Sequence, residues 1–156
     1  MEFDVLMKCL ADESGVPEGF AADEDGVVRI GSGENSSIAF MEIGEMQSVL
    51  IWSRVCDLPQ QGAEPLKDEL LKANFMGRAL GGGTLSLSDD GGIYLHRILP
   101  LQILDGDGFI NEVTLFVGRL RDWRRLLRSY EAMEKPGADK STTDLPPLGG
   151  GRFLKV

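Results

Sequence analysis

The sequence predicts an α+β domain built on an antiparallel, strongly twisted sheet of about five strands, in the order α-β-β-β-α-β-β-α. Three observations predict it. Apolar and β-branched runs separated by glycine-bearing turns occupy residues 27–56 and 84–99. Stripes of helical period flank and divide those runs. The strand–helix–strand alternation that a parallel sheet requires does not occur.

Phe3, Leu6, Met7 and Leu10 recur at i, i+3, i+4 and i+7 and draw one apolar stripe on a first helix, which Gly15 and Pro17 stop. Asp25-Gly26 is a turn feeding a strand from Val27 to Ile30. After the turn Gly31–Asn35, residues Ser37–Ile43 and Gln47–Cys56 read as two more strands hinged at Gly44-Glu45. Pro59–Ala63 is a loop, and Glu64-Pro65 starts a second helix, because proline fits the first helical turn. Leu66, Leu70, Ala73 and Asn74 share one face of it, Leu71 lies beside them, and the helix ends between Gly77 and Gly81. The clearest hairpin joins Thr84–Ser88 to Ile93–Leu99 through Asp89-Asp90-Gly91-Gly92, with Leu85 and Leu87 facing in. Asp105 or Asp107 can cap the last helix, whose apolar stripe runs from Phe109 through Val113, Phe116, Leu120, Trp123 and Leu127 to Tyr130 before Pro136-Gly137 ends it.

At 156 residues and 17.0 kDa the chain is sized for one domain with an ordinary hydrophobic core. Residues 1–135 are read as that domain, and residues 136–156 as a flexible proline- and glycine-rich tail with an apolar end, Phe153 to Val156. The formal charge of −9 disfavours general binding to nucleic acid or to an anionic membrane. The charge is uneven: residues 1–116 hold 7 basic and 20 acidic groups, whereas residues 117–135 hold 6 and 3. Arg119, Arg121, Arg124, Arg125 and Arg128 are read as mostly solvated arginines of the last helix. Cys9 and Cys56 are read as reduced core thiols. The N-terminal stretch is acidic where a secretory signal carries Lys or Arg, and no apolar run reaches the ~18 residues of a membrane span, so a cytoplasmic protein is expected.

Sites for chemistry do not assemble from the sequence. Gly31-Ser32-Gly33 leads into a strand and not a helix N-terminus, and Gly81-Gly82-Gly83-Thr84 lacks the Lys-Ser/Thr of a phosphate loop. The Asp105–Gly108 stretch fails the calcium-loop pattern, with Ile110 and Phe116 at the glycine and final-ligand positions. His96 lies mid-strand, no G-x-S-x-G surrounds a serine, and the pairs Asp89-Asp90 and Asp23–Asp25 read as solvated turn carboxylates of ordinary pKa. No catalytic residue, metal or cofactor is expected.

The middle strands are apolar on both parities. Ile38 and Phe40 point one way and Ala39, Met41 and Ile43 the other; Val49, Ile51 and Val55 oppose Leu50 and Trp52. A sheet with one wet face would be apolar on one parity, so both faces are expected to be covered. One helix layer covers only one; a second subunit, a client chain or a further layer of the same chain would cover the other.

These residues resemble the class I type III secretion chaperones, the Tir chaperone or CesT-like family. The likeness spans about residues 1–133. It rests on the length, acidity and element order, on Leu70-Leu71-Lys72-Ala73-Asn74, similar to the family's "LLxAN" stretch, and on the following Leu85-Ser86-Leu87 with its glycine turn. Leu95-His96-Arg97-Ile98-Leu99-Pro100-Leu101 looks like the family's "L-x-x-x-L-P-L" exit, and Phe116 and Trp123 stand where its last helix carries aromatics. The resemblance implies a homodimer without enzymatic activity that binds the extended N-terminal segment of a secreted effector in the cytoplasm and keeps it soluble and secretion-competent. The same apolar surface would alternatively let it sequester a cytoplasmic regulator of secretion. Ile38, Phe40, Ile43, Leu50 and Trp52 are then expected in the partner-binding patches, and Leu85, Leu87, Ile93 and Leu95 near the dimer contact. The glycine-rich Gly77–Gly83 stretch and the long tail depart from the pattern.

Overall fold

The computed structural model describes residues 2–31, 33 and 36–133; the tail 136–156 lies outside them. Among the described residues three α-helices and five strands follow the order expected: α1 (Phe3–Glu13), β1 (Val28–Ile30), β2 (Ile38–Ile43), β3 (Ser48–Asp57), α2 (Ala63–Asn74), β4 (Thr84–Leu87), β5 (Gly92–Pro100) and α3 (Gly106–Met133). The strands form one sheet in the order β1-β2-β3-β5-β4, every pair antiparallel.

Turn chemistry sets the joints. The Asp23 carboxylate accepts the backbone N–H groups of Asp25 (3.0 Å) and Val27 (2.9 Å), which shapes the turn into β1 around Gly26, at φ +77°. The hinge between β2 and β3 is a single 3-10 turn, Gly44–Met46. Asp105 is the cap of α3: its Oδ1 accepts the N–H of Gly108 at 2.8 Å, and its carbonyl accepts that of Phe109. The end of α2 is less simple than its sequence suggests. The chain continues in a 3-10 segment, Phe75–Leu80, kinked where Met76 and Gly77 both adopt left-handed φ (+58° and +64°).

Register assigns every strand residue to a face. Val28 pairs with Phe40, Phe40 with Ile51, Val49 with Leu99, and Leu85 with Leu95, and these side chains form the inner face. They pack with Phe3, Leu6 and Leu10 of α1, with Phe109, Phe116, Leu120, Trp123 and Leu127 of α3, and with Leu66 and Leu70 of α2. Phe40, 1% exposed, meets Phe109 edge to face, with ring centroids 6.1 Å apart at 64°. Arg97 also belongs to this face, opposite Ile51, where it pairs with Glu112 of α3 at 2.7 Å.

The arginines of α3 are not uniformly solvated. Arg124 is half-buried, and its guanidinium donates to the carbonyl of Arg54 (2.6 Å) and to Ser53 Oγ (3.1 Å); the Ser53 hydroxyl in turn donates to the carbonyl of Ser37 at 2.7 Å. This chain of bonds ties α3 through β3 to the start of β2. Burial holds the Arg124 guanidinium below its ordinary pKa, with Arg128 adding repulsion. Cys9 and Cys56 are half-buried thiols. Among the described residues no helix is long and apolar enough to cross a membrane.

Candidate functional site

The outer face of the sheet carries no layer of this chain among the described residues. It forms an open concavity of about 900 Å³. Its floor is organised in rows that cross the strands, because directly paired residues point the same way. One row reads Arg29, Ala39, Trp52, His96 and Thr84 across all five strands. The next row toward the β2–β3 hinge reads Met41, Leu50 and Ile98, and beyond it Ile43 pairs with Ser48. In the other direction lies Arg54, Tyr94 and Ser86. The concavity therefore has an apolar end and a polar end, with an aromatic row between.

The polar end is held by one cluster. Arg54 bonds to Asp57, to Asp90 Oδ2 (2.7 Å) and to the Tyr94 hydroxyl (2.8 Å), while Tyr94 donates to Asp90 at 3.0 Å and the guanidinium lies 5.4 Å from the Tyr94 ring centroid. Asp90 Oδ1 accepts the N–H of Gly92 at 2.8 Å. That backbone bond, followed by Arg54, lowers the Asp90 carboxyl to a pKa of about 2, so the expectation of an ordinary turn carboxylate is corrected here. Arg54, bonded to Asp57 and Asp90, is held above its ordinary range. A side chain at Gly92 would displace this cluster: a Cβ there would stand 2.6 Å from the Arg54 guanidinium and 2.7 Å from the Tyr94 ring.

The aromatic row has a different character. Arg29 reaches across the small Ala39 and places its guanidinium 5.9 Å from the Trp52 ring centroid. Ala39 is thereby buried, at 2% exposure, although among the described residues no helix lies over its face. His96, next in the row, sits 3.3 Å from Ser86 Oγ through Nδ1, and burial holds its pKa below the ordinary histidine value.

Of the residues the sequence nominated for a partner patch, the structure brings together Ile43, Leu50 and Trp52 on this face. Ile38 and Phe40 lie on the opposite parity, toward α3: Ile38 packs on the core from a partly buried position, and Phe40 is inside it. The nominated dimer residues also divide. Leu85, Ile93 and Leu95 fill the core of their own chain, and Leu87, at 46% exposure, alone of the four reaches the surface. Sequence reasoning missed Arg29, Arg54, Asp90, Tyr94 and Ile98. The signal for Arg54, Tyr94 and Ile98 was parity with Trp52 through the β3–β5 pairing, for Arg29 the same parity through β1–β2–β3, and for Asp90 its bond to Arg54, all of which require the register and not the composition.

A second apolar surface lies along α2 and the segment after it. Leu71 (70% exposed) and Phe75 (76%) are one helical turn apart, and Met76 (70%) follows at the kink. Between Leu71 and Phe75 the Asn74 side chain reaches β4: its Nδ2 donates to the Leu85 carbonyl and its Oδ1 accepts the Leu85 N–H, both at 2.8 Å. The outer edge of β4 is closed at that point by a side chain acting as a strand. Among the described residues no group of three or more His, Cys, Asp or Glu side chains is placed to hold a metal ion.

A family model described as the Tir chaperone protein (CesT) family matches residues 6–124. No curated protein sequence matches the chain. Solved structures share its fold at low identity. The ExsC–ExsE complex contains a chain with TM-score 0.67 and 18% identity, over 81% of this chain and 97% of that one. The HopA1–SchA chaperone–effector complex gives 0.62 and 13%, over 77% and 91%. The Yersinia pestis type III secretion chaperone SycH, solved with a stable fragment of YscM2, gives 0.60 and 20%, over 78% and 99%.

Proposed function

Since the chain belongs to the Tir chaperone (CesT) family, we propose that it is a non-enzymatic type III secretion chaperone that binds the extended N-terminal segment of a secreted effector in the cytoplasm and keeps it soluble and secretion-competent. The observation that carries the reading is the uncovered outer face, where Ile43, Leu50, Trp52 and Ile98 line an open concavity, Met41 pairs with Leu50 beside them, and no layer of the described residues lies above. An isolated soluble domain gains nothing from such a floor; a partner that buries it does. The solved structures with this fold support the reading, two of them being a chaperone with an effector and a secretion chaperone with a protein fragment.

The client segment lays apolar side chains on Met41, Leu50, Ile98 and Trp52. Ordering a disordered segment costs free energy, which the buried apolar area must offset. Strand addition along β4 is blocked at Leu85 by Asn74. At the other edge of the sheet Ala22 bridges Val28 and the Asp23 N–H donates to the Val27 carbonyl at 2.9 Å, so a client strand adds at β1 only beyond that bridge. A second copy of the chain packs on Leu71, Phe75, Met76 and Leu87, giving a homodimer with one concavity on each protomer.

The test is to isolate the tagged protein from its native cytoplasm, identify the co-purifying chain and measure the mass of the complex. Two copies of the chaperone with the N-terminal region of an exported protein are expected. A cytoplasmic regulator in place of the exported protein would move the function to sequestration, and a monomer without a partner would overturn the reading.

A further inference from the structure

Resting on the client-binding reading above, we infer that the concavity selects clients carrying a carboxylate, with Arg29 as the residue that reads it. The three cationic or ionisable nitrogen groups that line the outer face are in unequal states. Arg54 is saturated by Asp57, Asp90 and Tyr94, with its side chain 16% exposed. His96 is half-buried beside Ser86. Arg29 alone among these is 52% exposed at its side chain, and its ion pair, from Nε to Asp23 Oδ2, is 3.7 Å long, beyond hydrogen-bond reach.

The position of Arg29 makes it a reader and not a loose surface charge. Asp23, fixed by the N–H groups of Asp25 and Val27, stands on the Nε side without a hydrogen bond to it, while the Trp52 ring lies beside the guanidinium, 5.9 Å from it, across Ala39. The Trp52 ring narrows the positions open to the planar fork before a partner arrives, which lowers the entropy lost on binding a carboxylate. The row it occupies adjoins the apolar row Met41, Leu50 and Ile98, and successive same-face positions along a strand are roughly 7 Å apart. A segment that sets two apolar side chains on that row brings an Asp or Glu within one further turn of helix, or two to three extended residues, of Arg29.

The chain's net charge of −9 makes this preference distinctive, because the general field favours basic partners. A carboxylate preference therefore cannot arise from the field and must arise locally.

The experiment presents a random dodecamer peptide library on phage to the immobilised full-length chain, in parallel with Arg29→Ala, Arg29→Glu and, as a floor control, Leu50→Asp. Peptides enriched on the unaltered chain are expected to carry an apolar pair and an acidic residue at fixed spacing, the acid enriched about two- to fivefold over the starting library, as one partly exposed ion pair allows. R29A is expected to lose the acidic preference and keep the apolar pair, and R29E to reverse it toward Lys and Arg. An apolar pair with no acidic preference, or an acidic preference that survives R29E, would overturn this inference while leaving client binding standing. Enrichment indifferent to L50D, or no enrichment, would overturn the client-binding reading and this inference with it.

Discussion

Asn74 and Leu85 exchange two hydrogen bonds of 2.8 Å, side-chain amide to backbone, so that the end of α2 closes the free edge of β4. The asparagine is the last residue of α2, and no other residue type of that length offers a donor and an acceptor in the spacing of a peptide group. Asn74→Ala should destabilise the fold by about 1–3 kcal/mol, because both backbone groups of Leu85 lose their partner in a part-buried setting. Denaturant unfolding checks this, and an unchanged midpoint would show that water replaces the amide without cost.

Phe40 is a core residue, 1% exposed. Its replacement by Ala should cost about 3–5 kcal/mol by removing the ring that packs edge-on to Phe109. Thermal unfolding of Phe40→Ala is the measurement, and a midpoint within a degree of the parent would contradict the packing.

Leu50→Asp, on the open floor, should leave the thermal midpoint nearly unchanged and lower client affinity at least about tenfold, since a client then buries an unpaired charge. Binding titration with the co-purified client segment reads the effect. Equal affinity would remove the Leu50 row from the binding surface.

The carboxyl of Asp90 has a pKa of about 2 against an ordinary value of 3.8, the Gly92 N–H being the leading cause. A depressed folded-state pKa means that the unfolded chain binds the proton more readily. The stability from Asp90 is therefore present above about 3.8 and is lost as pH falls toward and through about 2. Asp90→Asn should flatten the fall in unfolding midpoint across that window and change little at neutral pH beyond a constant offset. A parallel fall in both proteins would assign the acid sensitivity elsewhere.

Leu71→Asp combined with Phe75→Asp places two charges on side chains that are 70% and 76% exposed. The chain should still fold, and its mass by light scattering should drop from two protomers to one. A dimer that persists would place the contact on another surface.

Much of the fold was legible in the sequence because its signals are local. The stripe Phe109 to Tyr130, the Asp89–Gly92 turn and the Asp105 cap each depend on neighbours within a few residues. The site was legible only in part, because a face is decided by register across strands. Trp52 and Leu50 could be grouped by parity within β3, but the sequence does not say which parity of a doubly apolar strand meets the helices. Phe40 went to the inner face because Phe109 of α3 covers it, a contact made across 69 positions of sequence. Asp90 looked like a solvated turn residue for the same reason: its partner Arg54 comes from a strand 36 positions away. Leu71 stood next to the apolar face of α2 in the helical pattern, and only the packing of Leu66, Leu70 and Ala73 shows it turned outward.

Client binding, as proposed, takes place on the outer face of the sheet. A photo-crosslinking amino acid in place of Leu50, activated in the native cytoplasm and followed by mass-spectrometric mapping of the joined peptides, tests it most directly. Crosslinks to the N-terminal region of an exported protein are expected. Crosslinks confined to this chain, or none at Leu50 while a probe at Leu71 captures the client, would contradict it.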